Sequence, residues 1–242
     1  MKEVLFFISA FIAEIIGTIA GFGSSTIFLP IALFFLDFKT ALILVAIFHI
    51  FGNLGRVTFF RHGINKKMII YFGIPSIILT VVGALLVNYL SQNILKLILG
   101  IFLLIFSIVS LIKSDFSLKL KLGNVVIGGG LSGFLAGLIG TGGALRGAFL
   151  TSFKLKKETY IATAAVIALM VDITRVPIYF GSGFLNKEFY FYIPLLFLVA
   201  IAGSYTGKKI ADKIPQKNFR KFVLAMLALI SLRFIYDGFL II

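Results

Sequence analysis

Cysteine and tryptophan are absent from this 242-residue chain, and histidine occurs only twice. Without cysteine there are no disulfides, no thiolate chemistry and no cysteine metal sites. No zinc-ligand spacing and no Ser/His/Asp grouping stands out, so the sequence offers no catalytic residue, no metal site and no cofactor. A glycine-rich loop ending in Gly-Lys-Ser/Thr is also missing, which argues against ATP-driven pumping by this chain. Charge is scarce: 13% of residues are charged, about half the share of a typical soluble domain. Acidic residues number nine against 23 basic ones, a net charge of +14. In a soluble protein that excess would suggest nucleic acid. Here the basic residues lie mostly in short loops between apolar runs. The positive-inside rule and anionic lipid headgroups account for them, and nucleic acid is not expected as a partner.

What the chain has in abundance is apolar sequence, 60% of all residues, with a mean hydropathy of +1.11. Thr40–Phe60, Met68–Leu90, Ile94–Ile112 and Thr159–Phe180 are each long enough to cross a bilayer core of roughly 30 Å. These runs define an all-α integral membrane protein whose first partner is the lipid bilayer. The first apolar run follows Met1-Lys2-Glu3 with no small-residue cleavage site and reads as part of the mature protein.

An internal repeat at an offset of 119 residues organises the chain. Gly21-Phe22-Gly23 matches Gly140-Thr141-Gly142, Asn53-Leu54-Gly55-Arg56 matches Asp172-Ile173-Thr174-Arg175, and Ile74-Pro75 matches Ile193-Pro194. The reading is a single membrane domain, residues 1–242, with repeat 1 at about 4–112 and repeat 2 at about 124–239, joined by the polar stretch Lys113–Leu122. Each repeat opens with a segment of about 30 residues, Val4–Leu36 or Asn124–Phe153, interrupted by glycines near its middle. One helix of that length would measure about 45–50 Å, too long for one crossing. A glycine cluster is where a chain can reverse.

Two topologies follow, and loop charge separates them. If both opening segments cross, eight alternating helices put nine loop cations on one side and 11 on the other. If both return to the side they entered from, the basic loops 61–67, 113–121, 154–157 and 208–221 share one side, giving 15 against five. The second distribution is a normal cytoplasmic bias. The expected fold is therefore two inverted repeats, each a re-entrant, glycine-tipped helical hairpin plus three transmembrane helices, with both termini outside. This is the plan of many secondary transporters.

Two such hairpins would bring both glycine tips to mid-membrane: Gly21, Phe22 and Gly23 followed by Ser24, Ser25 and Thr26, and Gly140, Thr141 and Gly142 followed by Gly143. Helix N-termini there offer unpaired N–H groups and the positive end of a dipole to an anion. Ser24, Ser25, Thr26 and Thr141 add hydroxyl donors. Glycines that only allow close packing are the bland alternative, preferred for Gly128-Gly129-Gly130 and Gly133. Ionisable residues in apolar runs are functional candidates by default. Arg56 and Arg175 form the internal pair, each three residues after Asn53 or Asp172 and so on the same helix face; snorkelling to the interface is their alternative role. Arg146 follows the second tip by about a turn and suits an anion. Asn53 is a candidate substrate contact. Glu14, His49 and Asp172 are the candidates for proton coupling, with structural hydrogen bonding as the alternative for each.

The run Ala20-Gly21-Phe22-Gly23 continuing to Pro30, the second motif Gly140-Thr141-Gly142-Gly143 and the 119-residue duplication resemble the TauE/SafE family of sulfite exporters across nearly the whole chain. The resemblance implies a multi-pass transporter of a prokaryotic cytoplasmic membrane, acting on sulfite, sulfonates or related organic anions. This chain departs from the family pattern at Ser24-Ser25 and at Ala144, where glycine is usual. The expected function is export of a small sulfur-containing or organic anion, coupled to protons or to membrane potential. A passive anion channel and a membrane-embedded enzyme or accessory subunit are the competing classes; the oligomeric state is not legible.

Overall fold

The computed structural model describes residues 2–20, 23–59, 64–112, 121–151, 155, 157–211 and 216–239. Among these residues every regular element is helical. The first half contains α1 (Lys2–Ala20), α2 (Ser24–Ala32), α3 (Phe38–Phe59), α4 (Lys66–Met68), α5 (Ile74–Leu86) and α6 (Gln92–Ile112). Five residues of π-helix, Ile69–Gly73, carry α4 into α5 without a break. The second half contains α7 (Leu122–Ile139), α8 (Gly143–Thr151), α9 (Lys157–Gly181), α10 (Tyr192–Ala211) and α11 (Gln216–Phe239). The short helices α2 and α8 begin and end 119 residues apart, and α3 and α9 begin at the same offset.

Eight helical stretches among the described residues are long and apolar enough to cross a membrane, two more than the six full spans expected. The additional two are α1 and α7, with 19 and 18 residues, about 27–28 Å each. The breaks fall about two thirds of the way from Lys2 to Ala32 and from Leu122 to Thr151, so the two arms are unequal and the nine-residue α2 and α8 are half-length. Backbone conformation sets those positions. Gly23 has φ +82° and Gly140 φ +72°, a left-handed region that side chains with a Cβ rarely enter. The Gly140 N–H closes α7 by donating to Ala136 O.

Apolar side chains cover the outside. Ile101, Ile105 and Ile112 of α6 and Phe222, Leu229, Leu232 and Phe239 of α11 are exposed, the arrangement that lipid as solvent requires. Inside, α3 is the most enclosed of the eight stretches. It packs on α9 and α10, while α5 lies against α7 and α6 against α11. Glycine permits the α5–α7 approach: a Cβ at Gly133 would stand 2.0 Å from Ser76 O. Ser76 and Thr80 hydroxyls donate to Gly129 O and Gly133 O at 2.8 and 3.0 Å. Close packing is thus what Gly129 and Gly133 do here.

Hydrogen bonds gather the loops at two ends of the bundle. At one end Phe38 N–H donates to Gln92 Oε1, Asn88 Nδ2 to Ser182 Oγ and Thr40 Oγ1 to Phe184 O. The start of α1 lies at this end, with Phe6 and Phe7 against Tyr192. At the other end Asn65 N–H donates to Thr163 Oγ1 and Lys208 Nζ to Phe59 O. Val125, near the start of α7, joins Phe72 and Leu150 in a small cluster on the same side.

Candidate functional site

The second short arm of each opening segment folds back along the first. Phe6 of α1 lies 5.1 Å from Phe28 and 6.0 Å from Phe35, and Gly17 allows the Ser24 backbone to press against α1. In the second half Ser132 Oγ donates to Gly142 O at 2.8 Å, and Phe149 of α8 covers Gly128 of α7. The two turns meet, with Thr141 Oγ1 donating to Thr26 Oγ1 at 2.8 Å. Gly23 adjoins His49, which is midway along α3. Gly21 and Phe22, both singled out from the sequence, lie outside the described residues.

Around these turns sit three buried arginines and two buried carboxylates. Arg56 reaches Glu14 Oε1 through Nη2 at 2.5 Å, Asn53 Oδ1 through Nη1 at 2.9 Å and Thr18 Oγ1 through Nε at 3.2 Å. Its Nη2 also lies 3.4 Å from Ser24 Oγ. Ser204 Oγ donates to Glu14 Oε1 at 2.7 Å. Arg175 pairs with Asp172 Oδ1 through Nε at 2.9 Å and Nη2 at 2.7 Å, and its Nη1 donates to Ala136 O at 2.6 Å. Asp172 Oδ2 lies 2.8 Å from His49 Nδ1. The i, i+3 faces read from the sequence are therefore real in both halves. Both Arg56 and Arg175 are nearly inaccessible and held by internal partners.

Arg146 is different. It is 4% exposed, yet among the described residues it makes neither an ion pair nor a side-chain hydrogen bond. With His49 neutral, three guanidiniums against two carboxylates leave one positive charge in excess. A buried charge without a partner is expensive, and a negative charge beside it would offset that cost.

A cavity of about 30 Å³ lies beside it, lined by Arg56, Arg146, Asn53, Thr18, Gly23 and Tyr160, with Gly17, Gly147, Ile161, Ala164 and Ala165 completing the wall. That is room for about two waters or one small ion. Among the described residues Asn53 Nδ2 has no partner, and neither has His49 Nε2 or Glu14 Oε2 nearby. The wall itself carries the N–H groups of Arg56, Arg146 and Asn53 and the hydroxyls of Thr18 and Tyr160, chemistry that can receive an oxyanion.

Of the candidate residues, Gly23, Asn53, Arg56 and Arg146 line the cavity and Glu14 holds Arg56 and Thr18 from behind, while His49, Asp172 and Arg175 form a joined group outside the lining. Ser25 is buried away from it. Sequence reasoning missed Thr18, Tyr160, Tyr179 and Ser204. Tyr179, whose hydroxyl donates to Gly137 O, stands four residues after Arg175, and Thr18 stands four after Glu14; helical spacing could have found both. Ser204 carries no comparable mark.

The profile of the family described as sulfite exporter TauE/SafE matches residues 6–234. A protein of Methanocaldococcus jannaschii, described as a probable membrane transporter, is 29% identical over 254 aligned residues, covering 94% of this chain and 93% of its own. No solved structure matches. The glycine motifs, the apolar helices and a family match over nearly the whole length agree: the chain belongs to the TauE/SafE sulfite exporter family of membrane transporters.

Proposed function

We propose that this protein is a secondary transporter that exports a small sulfur-containing or organic anion, of the sulfite or sulfonate kind, from a prokaryotic cell. The observation that carries this reading is Arg146: a buried cation without a carboxylate partner, on the wall of a donor-rich cavity. In this reading Arg146 and Asn53 hold the anion, helped by the N-terminal ends of α2 and α8. Arg56 and Arg175 set the electrostatic background, with Glu14 and Asp172 as their counter-ions. One net charge moved through the membrane is driven by about 2.3 kcal/mol per 100 mV, so potential or a proton gradient suffices to power export.

The transport frame is a single domain of two inverted halves, with α1–α2 and α7–α8 as re-entrant hairpins whose tips meet at mid-depth. The Thr26–Thr141 contact, the position of Gly23 beside the middle of α3 and the folding back of each short arm support it. The gathering of Lys66, Lys67, Lys121 and Lys208 towards one end supports it too, since that end would be cytoplasmic.

The test is radiolabelled sulfite flux in proteoliposomes. Arg146→Ala should lower flux at least about ten-fold, as expected for loss of a charge-assisted hydrogen bond to the cargo. Removing the exposed Arg233, bound only to Asp237, should leave flux unchanged. Flux that survives Arg146→Ala intact would defeat the proposal.

A further inference from the structure

We infer that the anion taken by this site carries an acidic hydrogen, a singly protonated oxyanion, and that His49 Nε2 is the acceptor of that hydrogen. The inference rests on the anion reading above and narrows its substrate class.

The orientation of the imidazole comes first. His49 Nδ1 lies 2.8 Å from Asp172 Oδ2, and the other oxygen of Asp172 takes two contacts from Arg175, which hold the group as a carboxylate. Nδ1 therefore carries a hydrogen, and in the neutral ring the lone pair belongs to Nε2. That atom is buried, has no partner among the described residues and sits in a side chain 3% exposed. It faces the first hairpin tip: a Cβ at Gly23 would stand 3.0 Å from Nε2 and 3.8 Å from Arg146 Nη2. Glycine leaves the gap between the histidine and the unpaired arginine open.

Donor and acceptor counting then selects the guest. Arg146, Arg56 and Asn53 Nδ2 present donors; of the two buried acceptors that lack a donor among the described residues, Glu14 Oε2 lies against Gly52 and Nε2 is the one beside Gly23 and Arg146. A fully deprotonated oxyanion would set oxygen lone pairs against that nitrogen. A protonated one places its O–H on Nε2 and its remaining oxygens on Arg146 and Asn53. Charge agrees, because the single excess positive charge matches a monoanion and a dianion would overcompensate it.

The charged groups in electrostatic reach of His49 are Asp172 on α9, Arg146 on α8 and Arg56 on its own helix. The α2 segment has no ionisable residue, and α6 and α10 carry their lysines near their ends. If the hydrogen crosses to Nε2, the O–H bond breaks, an N–H bond forms, and imidazolium faces a dianion. The proton count is the same, so one proton accompanies each anion bound.

The experiment uses wild-type proteoliposomes with sulfite as the probe, radiolabelled flux and an internal pH dye. The half-saturating concentration should stay constant across about two pH units when expressed as hydrogen sulfite, and shift about 100-fold when expressed as the dianion. One proton should enter or leave with each anion. Methanesulfonate, a monoanion of similar shape with no acidic hydrogen, should compete about ten-fold more weakly or worse, and His49→Gln should narrow that gap to within about three-fold. A constant half-saturation in dianion terms, anion movement without protons, or full retention of the preference in His49→Gln would each overturn the inference. The wild-type measurements decide alone if His49→Gln does not fold. Flux that depends on Arg146 but ignores pH sinks this inference and leaves the anion reading standing. Flux indifferent to Arg146 sinks both.

Discussion

At the scale of single residues, Arg56 and Arg175 are each matched by one carboxylate, but the halves draw that carboxylate from different places. Arg175 uses Asp172 on its own helix. Arg56 has Asn53 at the equivalent position and takes its counter-ion from Glu14, across on α1. Glu14→Gln should strand Arg56 in a buried setting and cost about 3–5 kcal/mol, while the double replacement Glu14→Gln with Arg56→Met should cost clearly less than the two single changes together. Thermal unfolding in detergent reads both; strict additivity would show that the two side chains do not act as a pair. The same comparison marks what the sequence could and could not reveal. Asp172 and Arg175 lie three residues apart, so helical geometry alone predicts their contact. Glu14 and Arg56 are 42 positions apart, and the match of Glu14 in the second half is Gly133, so neither spacing nor repeat pointed to their pairing. The distance of Arg146 from the tip marks it in the sequence, but its lack of an ion pair among the described residues is a property only of the packed helices.

At the scale of elements, glycine does two separable jobs. At Gly23 a positive φ shapes the turn, and the missing side chain spares His49 Nε2. Gly23→Ala should cost about 1–2 kcal/mol through backbone strain and also suppress transport by crowding the gap beside Arg146. Gly133 sits in helical backbone, where only space is at issue. Gly133→Ala pushes a methyl into Ser76 O, forcing α5 and α7 apart, and should destabilise by about 1–3 kcal/mol with transport falling only as far as folded protein is lost. Gly123, with nothing within 4 Å, is the control: its change to Ala should shift stability by less than about 0.5 kcal/mol. Unfolding midpoints and flux per folded molecule separate the three; equal effects at Gly23 and Gly123 would refute the turn requirement. The sequence located both turns because clustered glycine is visible in any helix-length apolar run. It did not reveal the unequal arms, since α7 extends until the left-handed Gly140 stops it, and apolar composition says nothing of where that residue will be needed.

At the scale of the whole molecule the question is which loops share a side of the membrane. The repeat offset and the fifteen-to-five distribution of loop cations were legible, because both depend on residue identity and order alone. Eight helices long enough to cross nevertheless fit an alternating arrangement equally well by length. Sidedness separates the two. Because the chain has no cysteine, single replacements can be labelled without background. The exposed positions Lys66, Lys121 and Lys209 lie towards one end of the bundle, and Asn88 and Lys187 towards the other. With re-entrant hairpins, an impermeant maleimide applied from outside should label Asn88→Cys and Lys187→Cys, and should leave the three lysine-to-cysteine variants unlabelled until the membrane is opened. Alternating spans would instead group Lys66, Lys121 and Lys187 on one side and Asn88 with Lys209 on the other. Labelling in that second grouping would remove the inversion between the halves. The two short helices would then no longer approach the anion from opposite faces, and a single site served by both tips would lose its basis.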